Sequence, residues 1–307
     1  MNIFRKHKTI EDLLPGFLLE KETESKYRTS VGYNTHILIL VEWLNSKNMQ
    51  GIAMDKITPV TMAEFFHYLA KVRGLDRPTC ERYFMHVRAI FNYAKKLGEV
   101  KEAPMNLVVF PQKGKDKSAE VIHAEDLKML LTEIKRTDPQ LYLACMTIYY
   151  CFIRPGRELR LMKIGDIDIE REIVTVVQEN AKNSKRQAVT IPRQLAEIFI
   201  EYGIDKADKE LYIFGNKKKF GTKPCSINML RYRFNVIRDR LGLPKGYKLY
   251  SMKHTGASAL HLSGISMREL MDQLRHTKLE ATQHYLKVKT GMVNTRIRDN
   301  FPSIILD

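Results

Sequence analysis

The stretch LRHTKLEATQHYLKV, residues 274–288, joins a histidine, His276, to a tyrosine, Tyr285, on one apparently helical segment. Leu270, Leu274, Leu279, Ala281 and Tyr285 also keep spacings that suit a plain core stripe. With 14 tyrosines in the chain, Tyr285 means little by itself. A phenol with a free pKa of about 10 is a poor nucleophile and needs cationic donors around it to react. The chemistry of the segment therefore depends on what the rest of the chain brings to it.

Working back towards the N-terminus, three further segments carry such donors. In YSMKHTGASAL, residues 250–260, Lys253 and His254 open a helical segment backed by small residues. That packing brings a helix N-terminus, with its free N–H groups, close to another element. An isolated Lys-His pair is nonetheless more often plain surface. In ENAKNSKRQAVTIP, residues 179–192, Lys182 lies in a polar turn between two β-like runs, where Lys185 and Arg186 compete for any role. In CFIRPGRELRL, residues 151–161, Arg154 follows an apolar helix and precedes Pro155-Gly156. A guanidinium at that place presents a fixed fork to phosphate oxygens. Pairing with Glu158, or capping of the preceding helix, explains it equally well.

The 307 residues are enough for two domains. Lys and Arg number 51 against 35 Asp and Glu, a net charge of +16, which points to a polyanionic partner. Cys80, Cys145, Cys151 and Cys225 form no CxxC pair and read as buried free thiols, in keeping with a reducing cytosol. The opening MNIFRKHKTIEDLL has no leader-like apolar core, and no run approaches the ~18 apolar residues of a membrane span. A cytoplasmic, nucleoid-associated protein with no membrane partner is expected. Helical spacing recurs from Thr9, from Ser30 to Ser46, after Thr58-Pro59 and from about Pro78 to Leu97. Pro104 to Lys117 reads as an exposed linker. Beyond it, helices are expected near 124–136, 139–152, 193–202, 226–241, 252–263, 266–274 and 278–288. Strands are expected at Ile173–Gln178 and Ala188–Ile191. The expected class is mainly α with a small β-hairpin (α+β). The domains are 1–103, a linker at 104–117, a second domain at 118–290, and a tail at 291–307 whose Ile304, Ile305 and Leu306 suggest docking.

In order and context these segments resemble the tyrosine recombinase, or phage-integrase-like, family of site-specific DNA recombinases, over nearly the whole chain. The family's R-x-x-E-L segment resembles Arg154 with Glu158-Leu159 and the later Asp166-Ile167-Asp168. Its hairpin lysine resembles Lys182. Its H-x-x-R-H-T segment resembles Tyr250 to Thr255, and its L-G-H segment running to the nucleophile resembles Leu274 to Tyr285. There are departures. Tyr250 stands where the family has histidine, Lys253 stands where it has a second catalytic arginine, and the Arg154 segment is one residue longer before its glutamate. Lysine keeps the charge but not the bidentate fork.

The resemblance implies a helical, SAM-like core-binding domain followed by a catalytic domain, with the two clamping a duplex. It implies that Tyr285 attacks a scissile phosphate to give a 3′-phosphotyrosyl link. Arg154, Lys253 and His276 would stabilise the non-bridging oxygens, Lys182 would protonate the 5′-oxygen, and Tyr250 would sit at the site. No metal or cofactor is implied. The partners would be double-stranded recombination sites and other copies of the chain in a synaptic tetramer joined through the tail, with room for accessory DNA-bending proteins. Arg82, Arg88, Arg231 and Arg233 are the expected DNA contacts. The alternatives are a DNA-binding or regulatory relative with disabled chemistry, and a topoisomerase IB-like nicking-closing enzyme.

Overall fold

The computed structural model describes residues 8–24, 27–114, 119–181, 185–277 and 282. The chain divides into two compact units, residues 1–116 and 117–307, each with its own apolar core.

The first unit is built on α1 (Ile10–Glu24), α2 (Tyr27–Ser46), α3 (Pro59–His67) and α4 (Arg77–Lys96). Two of these helices begin where sequence chemistry says they should. Thr58 accepts from the Thr61 amide with Pro59 in the first helical position, and Asp76 accepts from the Thr79 amide ahead of Pro78. The wide-pitched turn Tyr68–Val72, with i→i+5 bonding, continues α3 and was not legible beforehand. Phe17, Trp43, Phe65, Phe66 and Phe91 are all buried in the core.

One polar group lies at the edge of that core. The His36 ring stacks on Tyr83 with centroids 3.8 Å apart and lies 4.6 Å from His86. Burial, with help from His86 and Arg82, pushes the His36 pKa down from 6.5 to about 4. The unfolded ring thus takes up a proton before the folded one does, so this unit loses stability as pH falls from about 6.5 towards about 4. The half-buried, solvent-screened ring limits the effect to about 1 kcal/mol. Denaturant unfolding followed by Trp43, the only tryptophan, should show that slope, and His36→Gln should flatten it.

The second unit surrounds α6 (Pro139–Cys151), which is buried on nearly all sides through Leu141, Leu143, Ala144, Cys145, Ile148 and Cys151. Around it lie α5 (Ala124–Thr137), the single turn α7 (Arg157–Arg160), α8 (Arg193–Glu201), α9 (Met229–Arg240), α10 (Ser251–Leu262) and α11 (Met267–Leu274). An antiparallel sheet of order β1-β2-β3 joins Ile167–Asp168, Ile173–Val176 and Gln187–Thr190, with Val174 opposite Val189. The fold is mostly helical with this one small sheet, as expected. The strand β1 was not anticipated, because two residues cannot display an alternating pattern. The strands at 173 and 188 are also shorter or shifted relative to expectation, and α9 starts at Met229 rather than 226. All four cysteines are buried free thiols. The helix expected at 278–288, apart from Thr282, and the tail lie outside the described residues.

Candidate active site

The site grows from the C-terminal end of α6. Phe152 ends the helix in a left-handed conformation, φ 52°, an uncommon backbone for a bulky residue. The chain then turns through Ile153, Arg154 and Pro155 into α7. Glu158, in that turn, closes the corner: its carboxylate accepts the Arg154 amide at 3.0 Å and the Arg154 guanidinium at 2.7 Å. Glu158 is only 4% exposed. Burial pushes its carboxyl up, but Arg275, the Arg154 amide and the Arg154 guanidinium outweigh that and hold it below the ordinary value. The pairing that the sequence left open for Arg154 is therefore present, while its side chain stays a quarter exposed.

Helix α10 brings the next cation. Its Gly256 lies against the last turn of α6, so that a Cβ there would fall onto the Tyr149 carbonyl oxygen. This close approach sets Lys253, one turn earlier, into full burial, with its ammonium donating to the Phe152 carbonyl at 2.8 Å. The pair Lys253-His254 is thus interior, contrary to the surface reading of such a dipeptide. Tyr250, half-buried just ahead of α10, meets the His254 ring edge to face with centroids 5.2 Å apart. Gly256→Ala should cost about 3 kcal/mol or more, since a backbone carbonyl in a packed helix cannot yield. Calorimetric unfolding checks this, and a loss below about 1 kcal/mol would mean that the helices part easily.

Helix α11 completes the cluster. Ser266 and Glu269 form a reciprocal capping box at its start. Gln273 ties its last turn to β3 and α6, donating to the Thr190 and Tyr150 carbonyls and accepting from the Thr190 amide. Arg275 then ends the helix at φ 58° and turns inward. Its Nη2 donates to Glu158 at 2.7 Å and to the Phe152 carbonyl at 3.2 Å. His276 follows, half-buried, with Nδ1 3.0 Å from the Thr282 hydroxyl.

Three cations from distant segments, Arg154, Lys253 and Arg275, thus meet around one carboxylate and one carbonyl. Two of them, with His276, were singled out in the sequence. Arg275, Glu158 as a bridge, and Thr282 as the partner of His276 were missed. An arginine in Leu-Arg-His looks like surface until the left-handed turn directs it inward. Lys182 and Tyr285 lie outside the described residues.

Of the expected DNA contacts, Arg82 and Arg88 are exposed on α4 and Arg231 is exposed on α9. Arg233 is a correction. Its Nε donates to Asp138 at 2.6 Å, its Nη2 also reaches Asp138, and its Nη1 donates to Gln140 at 2.9 Å. Asp138 caps α6 by accepting the Leu141 amide. With each of its three nitrogens bonded inside the protein, this guanidinium anchors α9 to the start of α6.

Comparison with known proteins gives a consistent picture. Residues 120–291 match the model described as the phage integrase family, and residues 12–113 match the phage integrase SAM-like domain. The chain is 25% identical over 276 residues to the tyrosine recombinase XerC of Bacillus pumilus, covering 85% of this chain and 87% of that one. Its fold is similar to that of the Tn1549 transposon integrase in complex with a circular intermediate DNA, with TM-score 0.73, 14% identity, and coverage of 95% and 98%. It is also similar to a lambda integrase dimer bound to a COC' core site, with TM-score 0.72, 15% identity, and coverage of 92% and 79%.

Proposed function

Because the chain belongs to the phage integrase family of site-specific tyrosine recombinases, we propose that it cuts and rejoins duplex DNA through a phosphotyrosyl bond formed by Tyr285. The observation that carries this reading is the gathering of Arg154 and Lys253 at the end of α6, beside the His276 that leads towards Tyr285. Such a cluster is suited to an oxyanion. Preorganised donors in a largely buried setting stabilise charge as it develops on the non-bridging oxygens, without reorganising at the moment of reaction.

The Tyr285 oxygen attacks phosphorus as its proton passes to solvent, and the bond from phosphorus to the 5′-oxygen breaks. Lys182 hands a proton to that departing oxygen. The DNA is left with a 3′-phosphotyrosyl end and a free 5′-hydroxyl. A 5′-hydroxyl from a partner duplex then reverses the chemistry, so no external energy source is consumed. Arg82 and Arg88 in the first unit, and Arg231 in the second, contact duplex phosphates. Strand exchange between two duplexes requires several copies, and a synaptic tetramer provides one active site for each strand. Among the described residues no helix is long and apolar enough to cross a membrane.

A nicked suicide substrate tests the reading, because the short 5′-fragment diffuses away and traps the covalent intermediate. The expected result is a protein–DNA adduct that survives denaturation and maps to the peptide containing Tyr285. No adduct on any cognate duplex would refute the proposal.

A further inference from the structure

Arg275 occupies the middle of the Leu-Arg-His segment, at the position where the resembling family pattern carries glycine. Its backbone, φ 58° and ψ 45°, is one that glycine adopts without strain and an arginine adopts only at a cost. A side chain kept there against that preference has something to do. The residue is 6% exposed, yet only Nη2 of its guanidinium is engaged. Nε and Nη1 are buried with no hydrogen-bond partner among the described residues. Buried donors in this state are rare and mark a missing acceptor. Charge points the same way: Arg154 and Arg275 both pair with Glu158, and Lys253 lies on the carbonyl that Arg275 also reaches.

Lys253 lies on the same acceptor as Arg275, the Phe152 carbonyl, so the two cations flank one point. Lys253 stands where a guanidinium is expected and has no planar fork to offer. Arg275 is a guanidinium whose Nε and Nη1 still carry N–H groups without an acceptor among the described residues. We propose that Arg275 is a catalytic residue that donates an Nη1 N–H to a non-bridging oxygen of the scissile phosphate. It thereby supplies, from a different helix, the guanidinium contact that Lys253 cannot make. The missing acceptor is an oxygen anion that arrives with the DNA. The inference rests on the strand-cleavage reading given above.

The test is a reciprocal swap on the full chain, scored by the rate of adduct formation with the nicked substrate. Arg275→Gly suits the backbone and removes the guanidinium, and should slow cleavage by about 100-fold or more, the usual cost of one oxyanion donor. Adding Lys253→Arg to it should recover at least about tenfold. A substrate with a neutral methylphosphonate at the scissile position should bring Arg275→Gly to within about tenfold of the unsubstituted protein, since the charge to be neutralised is gone. A residue that only props up Glu158 would leave the same defect on both linkages. An Arg275→Gly protein that cleaves the phosphodiester within about threefold of normal, or fails equally on both substrates, overturns the proposal. If that variant does not fold, Arg275→Lys keeps the buried charge without the guanidinium donors and is judged by the same two linkages. Loss of adduct in the unsubstituted protein would instead fell the strand-cleavage reading itself, so the two failures are distinguishable.

Discussion

Tyr285→Phe is expected to abolish the covalent adduct while leaving duplex binding within about twofold. Phenylalanine keeps the ring and its packing but removes the one oxygen that can bond to phosphorus. Loss of a covalent nucleophile costs on the order of 10⁴-fold or more in rate, because the remaining groups have no intermediate to stabilise. Binding should persist, because affinity for duplex comes mainly from neutralising phosphates, and a chain of charge +16 retains all of its cations in this variant. Gel separation of adducts and a salt titration of binding give the two readouts side by side. An undiminished adduct would move the nucleophile elsewhere, and Tyr250, just ahead of Lys253, would be the first residue to test.

Glu158→Ala should lower the stability of the second unit by about 3–5 kcal/mol, the usual result when one partner of a buried ion pair is removed. Glu158 faces both Arg154 and Arg275, and the latter is buried with no other carboxylate on it among the described residues. Without Glu158, Arg275 keeps its charge, shares the Phe152 carbonyl with Lys253, and repels its two neighbouring cations. Glu158→Ala combined with Arg275→Gly should therefore recover part of the loss, which denaturant unfolding of the two variants would reveal. Acid gives an independent check. The Glu158 carboxyl is held below its ordinary value of 4.5, so the stability that it contributes is fully present above that pH. It drains away as pH falls through the lower, folded-state value. The Glu158→Ala protein should lack that component of acid sensitivity.

How much of this was legible beforehand varied with the kind of signal. The helix start at Thr58-Pro59 could be read because a cap is local chemistry, written in a few adjacent residues, whereas the Asp76 cap lies two residues ahead of the expected start at Pro78. Arg154, His276 and Tyr285 stood out through the order of their segments. Lys253 was placed by the same order, but its complete burial was not foreseeable: it follows from Gly256 letting α10 descend onto α6 at Tyr149. Arg233 misled because charge on a helix looks like surface, and only the tertiary partner Asp138 turns it inward. Arg275 was invisible for a related reason. Its direction is set by one left-handed backbone angle and its partners lie more than a hundred residues away, so no local pattern could encode it.

The end of α6 explains why such a relocation is tolerable. The acceptor shared by Lys253 and Arg275 is a main-chain oxygen at a helix C-terminus, where carbonyls lack intrahelical partners and the helix dipole is negative. That oxygen belongs to the fold, whatever side chain residue 152 carries. Cations can therefore be traded between α10 and α11 without rebuilding their anchor, as long as the last turn of α6 stays wound. In this family member the positive charge is an interchangeable part, and the fixed part is an unspent carbonyl.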